Sequence, residues 1–102
     1  MYTEFRTKTL LHCYERQRER DRLWGHAIGE KYVQAVDLLK AVDHPSDLGV
    51  FPQFRYHTLT ANRKGEHAME LGYRARLIFT VQPAGDALVA WVQEVSTTHY
   101  EH

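Results

Sequence analysis

A single cysteine, Cys13, stands in the chain, so no internal disulfide can form and no cysteine-rich zinc site can be built. Glycine and proline are sparse, six and three among 102 residues, which removes collagen-like and low-complexity architectures. No apolar run approaches the roughly 18 residues that a membrane-spanning helix needs. The opening Met1-Tyr2-Thr3-Glu4 lacks the basic start and apolar stretch of a secretory leader. These absences together predict a cytoplasmic protein with no membrane partner. What is present suits one folded domain over residues 1–102. The 43% hydrophobic content is too high for disorder, and the length serves one core rather than two.

A surplus of either charge is missing as well. Thirteen basic side chains meet thirteen acidic ones, whereas nucleic-acid-binding proteins are usually visibly basic. The balance is not uniform along the chain. Between residues 52 and 79, Arg55, Arg63, Lys64, Arg74 and Arg76 face only Glu66 and Glu70, with His57 and His67 among them. From residue 80 onward the charges are Asp86, Glu94 and Glu101. Neutrality thus conceals a basic middle followed by an acidic end.

The pattern predicts helices first and sheet second. Residues 7–24 contain neither Gly nor Pro, with Leu10, Tyr14 and Cys13 on one helical face and Thr7 or Thr9 as the N-cap. The charged half, 15–22, reads as a solvated extension with Glu15–Arg18 and Glu19–Arg22 pairs, ending at Gly25. A second helix follows from the three- and four-residue spacing of Ile28, Tyr32, Ala35, Val36, Leu39 and Val42, and stops before Pro45. Residues 46–49 read as a turn or short helical turn. Strands are predicted over 54–59, 68–71, 74–81 and 87–95, the last two forming an antiparallel hairpin across the loop 82–86. In the third strand, alternation puts Arg74, Arg76, Ile78 and Thr80 on one face and Ala75, Leu77, Phe79 and Val81 on the core face. The expectation is an α+β fold, two N-terminal helices (about 7–43) packed on a C-terminal antiparallel sheet of about four strands (about 54–96).

Chemistry has few candidates. Arg74 and Arg76, two apart on a strand, would repel unless an anion or carboxylate lies between them. They form either a phosphate site or an exposed pair balanced by Glu70 or Glu94. His57 has the side chain best suited to proton transfer at neutral pH, although a strand histidine can equally be hydrogen-bonded filler. His99 and Tyr100 follow directly from the strongest strand. The seven histidines show no HxxxH or HExxH spacing, so neither a metal nor another cofactor is expected. The arginines between 16 and 22 alternate with acids and read as a solvated helix face.

The order of segments resembles the RelE/HigB superfamily of toxins from type II toxin–antitoxin modules. The segments are Phe54 to Leu59 (FRYHTL), Asn62-Arg63-Lys64-Gly65-Glu66, Leu71 to Phe79 (LGYRARLIF), and Val92 to Tyr100 (VQEVSTTHY). HigB-type toxins share an R-x-H-x-L strand, an R-K-G turn, a Y-R-containing strand and a final strand running into a histidine. The resemblance implies a RelE-like domain and a metal-independent endoribonuclease that cuts mRNA on the ribosome and inhibits translation. Its partners would be the ribosome, mRNA and a cognate antitoxin encoded nearby. It also implies His57, Arg74, Arg76, His99 and Tyr100 as catalytic residues, and Arg55, Arg63 and Lys64 as RNA contacts. The chain departs from the pattern at Thr60, where such toxins carry lysine or glycine, and at Thr97-Thr98-His99, where they carry D-Y-H. Lys64 or Arg76 can replace the lysine, and Tyr100 the tyrosine. Two alternatives follow from these departures and from neutrality: a non-catalytic toxin-fold domain that binds an antitoxin, and a ParE-like toxin directed at gyrase.

Overall fold

The N-terminal helical stretch breaks at Arg16. In the computed structural model, which describes residues 1–97, α1 (Lys8–Glu15), α2 (Gln17–Trp24) and α3 (His26–Ala41) are separate helices rather than two. Thr7 caps α1, its side chain accepting from the Leu10 amide at 3.2 Å. Arg16 is extended, with φ −129° and ψ 116°, so the chain turns without glycine or proline. Arg20 stabilises the break. Its Nη1 donates to the Cys13 and Tyr14 carbonyls at 3.2 and 3.3 Å, groups that the end of α1 leaves without helical partners. The charged segment is therefore a helix of its own, held by a nearly buried arginine. Of the two ion pairs expected there, Glu19–Arg22 forms at 2.6 Å. Gly25, with φ 82°, separates α2 from α3 in a backbone region that glycine enters at little cost.

The second amphipathic pattern matches α3. Tyr32, Ala35, Val36 and Leu39 are buried, Val42 caps the end, and Pro45 opens a 3₁₀ stretch, Pro45–Val50. The Tyr32 hydroxyl reaches back to the Leu10 carbonyl at 2.8 Å, tying α3 to α1 inside the core.

The strands are β1 (Tyr2–Phe5), β2 (His57–Thr58), β3 (His67–Gly72), β4 (Ala75–Ala84) and β5 (Ala87–Thr97), in the order β1-β5-β4-β3-β2. Among the described residues the sheet thus has five strands rather than about four. β1, absent from the sequence-based expectation, pairs parallel with β5, and the other pairings are antiparallel. The β4–β5 hairpin forms as expected but closes more tightly, with Ala84 opposite Ala87 around Gly85-Asp86. Pro83 is accommodated inside β4 because β3 pairs only as far as Phe79, leaving that flank of β4 without a neighbour.

The helices lie on one face of the sheet. Leu10, Cys13, Tyr32, Val36 and Leu39 from the helices meet Met69, Leu71, Leu77, Phe79, Ala90 and Val92 from the strands, with Leu48 and Phe54 from the connecting 3₁₀ turns. Ala75, Leu77 and Phe79 occupy the core face, as alternation predicts. No helix is long and apolar enough to cross a membrane, among the described residues.

Two strand expectations need correction. The strand over 54–59 shrinks to His57–Thr58, because Phe54 closes a 3₁₀ turn (Pro52–Phe54) as a buried anchor and Arg55 is left-handed, φ 45° and ψ 49°. Arg55, Tyr56 and His57 therefore do not alternate as an extended segment. Arg74 is likewise not in β4. Tyr73 and Arg74 form the β3–β4 turn with φ 51° and 64°, so the strand alternation pairing Arg74 with Arg76 does not apply.

Candidate functional site

The helix-free face of the sheet collects the basic middle of the chain. Residues directly opposite in neighbouring strands point to the same side, so the register defines this face. His57 stands opposite Ala68, Ala68 opposite Ile78, and Ile78 opposite Glu94. The adjacent row is Glu70, Arg76 and Ser96. Their strand neighbours Met69, Leu71, Leu77 and Phe79 are all core residues, which places both rows on the side away from the helices. A bulge keeps Glu94 in this alignment. Phe79 pairs with Val92 and Ile78 with Glu94, so Gln93 is the extra residue. Its amide is fixed to the Thr80 hydroxyl at 3.1 Å.

His57 and Arg76 thus share a face, with Glu70 opposite Arg76. Register relates Glu70 to Arg76, while Glu94 is engaged by Arg63. Arg63 extends to it, Nη2 to Glu94 at 2.7 Å and Nε to Glu66 at 2.6 Å. Both carboxylates hold the guanidinium more firmly protonated than usual, Glu94 contributing most. Arg63 therefore bridges two acids, while Lys64 beside it is exposed. Arg74 occupies the exposed turn at one end of the sheet. His99 and Tyr100 lie outside the described residues.

A cleft of about 520 Å³ opens where the 3₁₀ segments meet β2, and Phe51, Pro52, Arg55, Tyr56, His57 and Glu70 contribute to its lining. His57 Nδ1 lies 2.8 Å from the carbonyl oxygen of Arg55. Behind the cleft, Tyr56 is hydrogen-bonded to His67 Nδ1 at 2.8 Å, and the His67 ring stacks on Phe79 with 5.0 Å between centroids. Burial pushes the Tyr56 phenol up and the His67 imidazole down, so both are held neutral near physiological pH. These two histidines, close in sequence, have opposite settings: His67 packs toward the core, and His57 sits in the cleft.

The sequence singles out His57 and Arg76, which share this face, but not the wall that Phe51 and Pro52 provide. It weighs Glu70 only as a salt-bridge partner. Pro52 offers the one available signal, since a proline just before a short apolar-aromatic run favours a tight turn over a strand. Among the described residues, no three His, Cys, Asp or Glu side chains converge as a metal site requires.

No protein-family model matches this chain, and no curated protein matches it in sequence. Solved structures do match. The YoeB/ParE toxin from Agrobacterium tumefaciens superposes with a TM-score of 0.58 at 16% identity, covering 98% of this chain and 100% of that one. A YoeB-YefM complex from Staphylococcus aureus gives a TM-score of 0.56 at 17% identity, covering 98% of each chain. The architecture is thus the α+β fold of these two structures over nearly the whole chain. At these identities the likeness defines the fold, and the chemistry must be argued from the side chains.

Proposed function

We propose that this chain is the toxin of a type II toxin–antitoxin module and cuts mRNA on the ribosome without a metal ion. The observation that carries this reading is the shared placement of His57 and Arg76 on the helix-free sheet face, beside a cleft open to solvent. Cutting requires a 2′-hydroxyl to lose its proton and attack the neighbouring phosphorus, while the 5′-oxygen departs with a proton. His57 takes the first proton. Arg76, with Arg74 from the end turn, neutralises the charge that accumulates on the phosphoryl oxygens. The departing 5′-oxygen receives its proton from His99 or Tyr100. Arg55 and Lys64 contact the RNA backbone, whereas Arg63 contributes mainly by bracing Glu66 and Glu94. The YoeB-YefM complex supports a protein antitoxin as the partner.

The carboxylates favour a second reading. Glu66, Glu70 and Glu94 all belong to this part of the sheet, and two of them are occupied by Arg63. A face so nearly neutral also suits a toxin-fold domain that binds its antitoxin and cuts nothing. Induced expression with and without the neighbouring antitoxin candidate separates the two, with mRNA ends mapped. Growth arrest with cuts in translated codons, lost in folded His57→Ala and Arg76→Ala variants, is expected. A soluble, folded chain that causes neither arrest nor cuts removes the nuclease reading.

A further inference from the structure

We infer that the left-handed backbone of Arg55 is the device that orients His57, leaving Nε2 as the basic nitrogen offered to substrate. This rests on the nuclease reading and identifies which atom takes the 2′-hydroxyl proton. A carbonyl oxygen only accepts, so the 2.8 Å contact between His57 Nδ1 and the Arg55 carbonyl requires hydrogen on Nδ1. In the neutral ring, Nε2 then carries the lone pair. Histidine free in water prefers the opposite tautomer, so the carbonyl both fixes the ring and selects the reactive nitrogen.

That carbonyl is in reach because of the backbone two residues earlier. The turn Pro52–Phe54 ends with the Arg55 amide bonded to the Pro52 carbonyl at 3.1 Å. Arg55 then enters the left-handed region, φ 45° and ψ 49°. An extended Arg55 would continue the strand, and a strand carbonyl points sideways into the ladder rather than toward the side chain two residues on. The conformation is costly for a residue with a Cβ, and costs of this kind gather where a site needs a fixed geometry. Phe54, 3% exposed, anchors the turn in the core and holds the device in place. Arg55 is thus a positioning residue through its backbone, apart from any contact its guanidinium makes with RNA.

The test compares variants that all lack the guanidinium but differ in backbone preference. Glycine enters the left-handed region freely and asparagine tolerates it, while β-branched valine resists it. Long-range ¹H–¹⁵N correlation of the His57 ring, at a pH where it is neutral, reads the tautomer directly. The Nδ1–H form is expected to dominate in the wild type, Arg55→Gly and Arg55→Asn, and to give way to Nε2–H in Arg55→Val. At saturating ribosome-bound mRNA, Arg55→Val should cut about tenfold more slowly than Arg55→Gly, the size of a left-handed backbone penalty. If valine prevents folding, Arg55→Ala, with a smaller penalty, should fall between the two. A wild type dominated by Nε2–H, or Gly and Val variants alike in tautomer and rate, overturns the inference. Because the tautomer is read without RNA, the two readings fail separately. An Nδ1–H ring in a chain that does not cut removes the nuclease and the base role together, whereas an Nε2–H ring in a chain that cuts removes only the orienting device.

Discussion

Two side chains in the basic middle have settings that their residue types alone do not announce. Arg63 is held by two carboxylates, at 2.6 and 2.7 Å, yet all three groups keep contact with solvent. Partial exposure limits such a network to about 0.5–1 kcal/mol. Arg63→Gln should therefore lower the denaturation midpoint slightly at low salt, with a difference that shrinks in high salt as screening replaces the lost partners. Equal losses at both salt levels would show that packing of the arginine stem, not charge, accounts for the effect. His67 gives a pH dependence. Burial holds its folded pKa below the ordinary value near 6.5, so below that pH the unfolded chain gains a proton that the folded chain resists. This source of instability is absent at higher pH and grows as pH falls from about 7 toward 5. His67→Phe keeps the stack on Phe79 and should flatten the fall in stability over that range, measured by urea unfolding. An unchanged pH profile would assign the acid sensitivity to other groups.

At the scale of elements, α2 is the piece whose attachment is least evident, since it contributes no buried residue. It is held by Trp24, half-buried against the core with its ring edge-on to Tyr32 at 4.7 Å, and by Arg20, whose side chain is 12% exposed and serves α1's last carbonyls while lying 4.0 Å from Glu30. It also crosses α3 at Gly29, where a Cβ would meet Arg20 Cγ at 3.1 Å and Asp21 Oδ1 at 3.2 Å. Gly29→Ala would gain about 1 kcal/mol in helix propensity if the site were open. Because Arg20 is anchored by its carbonyl contacts and cannot withdraw freely, the substitution should instead be net destabilising by about 1 kcal/mol. Arg20→Ala should cost about 1–3 kcal/mol by leaving those carbonyls unpaired, and amide exchange should accelerate first in α2. Uniform acceleration across the chain would contradict this local attachment. The same segment marks where sequence reasoning stops. α3 is legible because six apolar residues recur at helical spacing, and β4 and β5 because they are long and rich in Val, Phe and Trp. Arg16 breaks a helix without Gly or Pro, and the partner that stabilises the break lies four residues away in a stretch that reads as solvated. β1 has four residues with alternating burial and gains its place by pairing with a strand more than eighty positions later. Non-local pairing of so short a strand leaves no periodic trace. Of the site, His57 and Arg76 are legible as residue types on strands, but the left-handed turns at Arg55 and Arg74 are not, because neither position carries the glycine or asparagine that usually marks them.

For the molecule as a whole, the neutral total charge constrains how the proposed nuclease can bind RNA. A strongly basic protein releases many counterions on binding and loses affinity steeply as salt rises. This chain has thirteen charges of each sign, and its basic middle is partly neutralised where it matters, with Arg63 spent on Glu66 and Glu94 and Glu70 set opposite Arg76. The cations that the proposed reading assigns to phosphates are Arg55, Lys64 and Arg76 on this face and Arg74 in the turn at its end. Four phosphate contacts on a single strand give a slope of log affinity against log salt of about −3, and fewer contacts give a shallower one. Titrating a short single-stranded RNA by fluorescence anisotropy over a range of salt should return a slope no steeper than that. Glu70→Gln, which removes the carboxylate facing Arg76, should raise affinity and steepen the slope toward one more contact. A slope of −6 or beyond would mean that cations outside this face dominate, with the arginines of α2 the next candidates. Specific affinity for a ribosome-bound message would then depend on contacts that the sheet face and its cleft make locally, since the long-range field of a neutral protein draws RNA in only weakly.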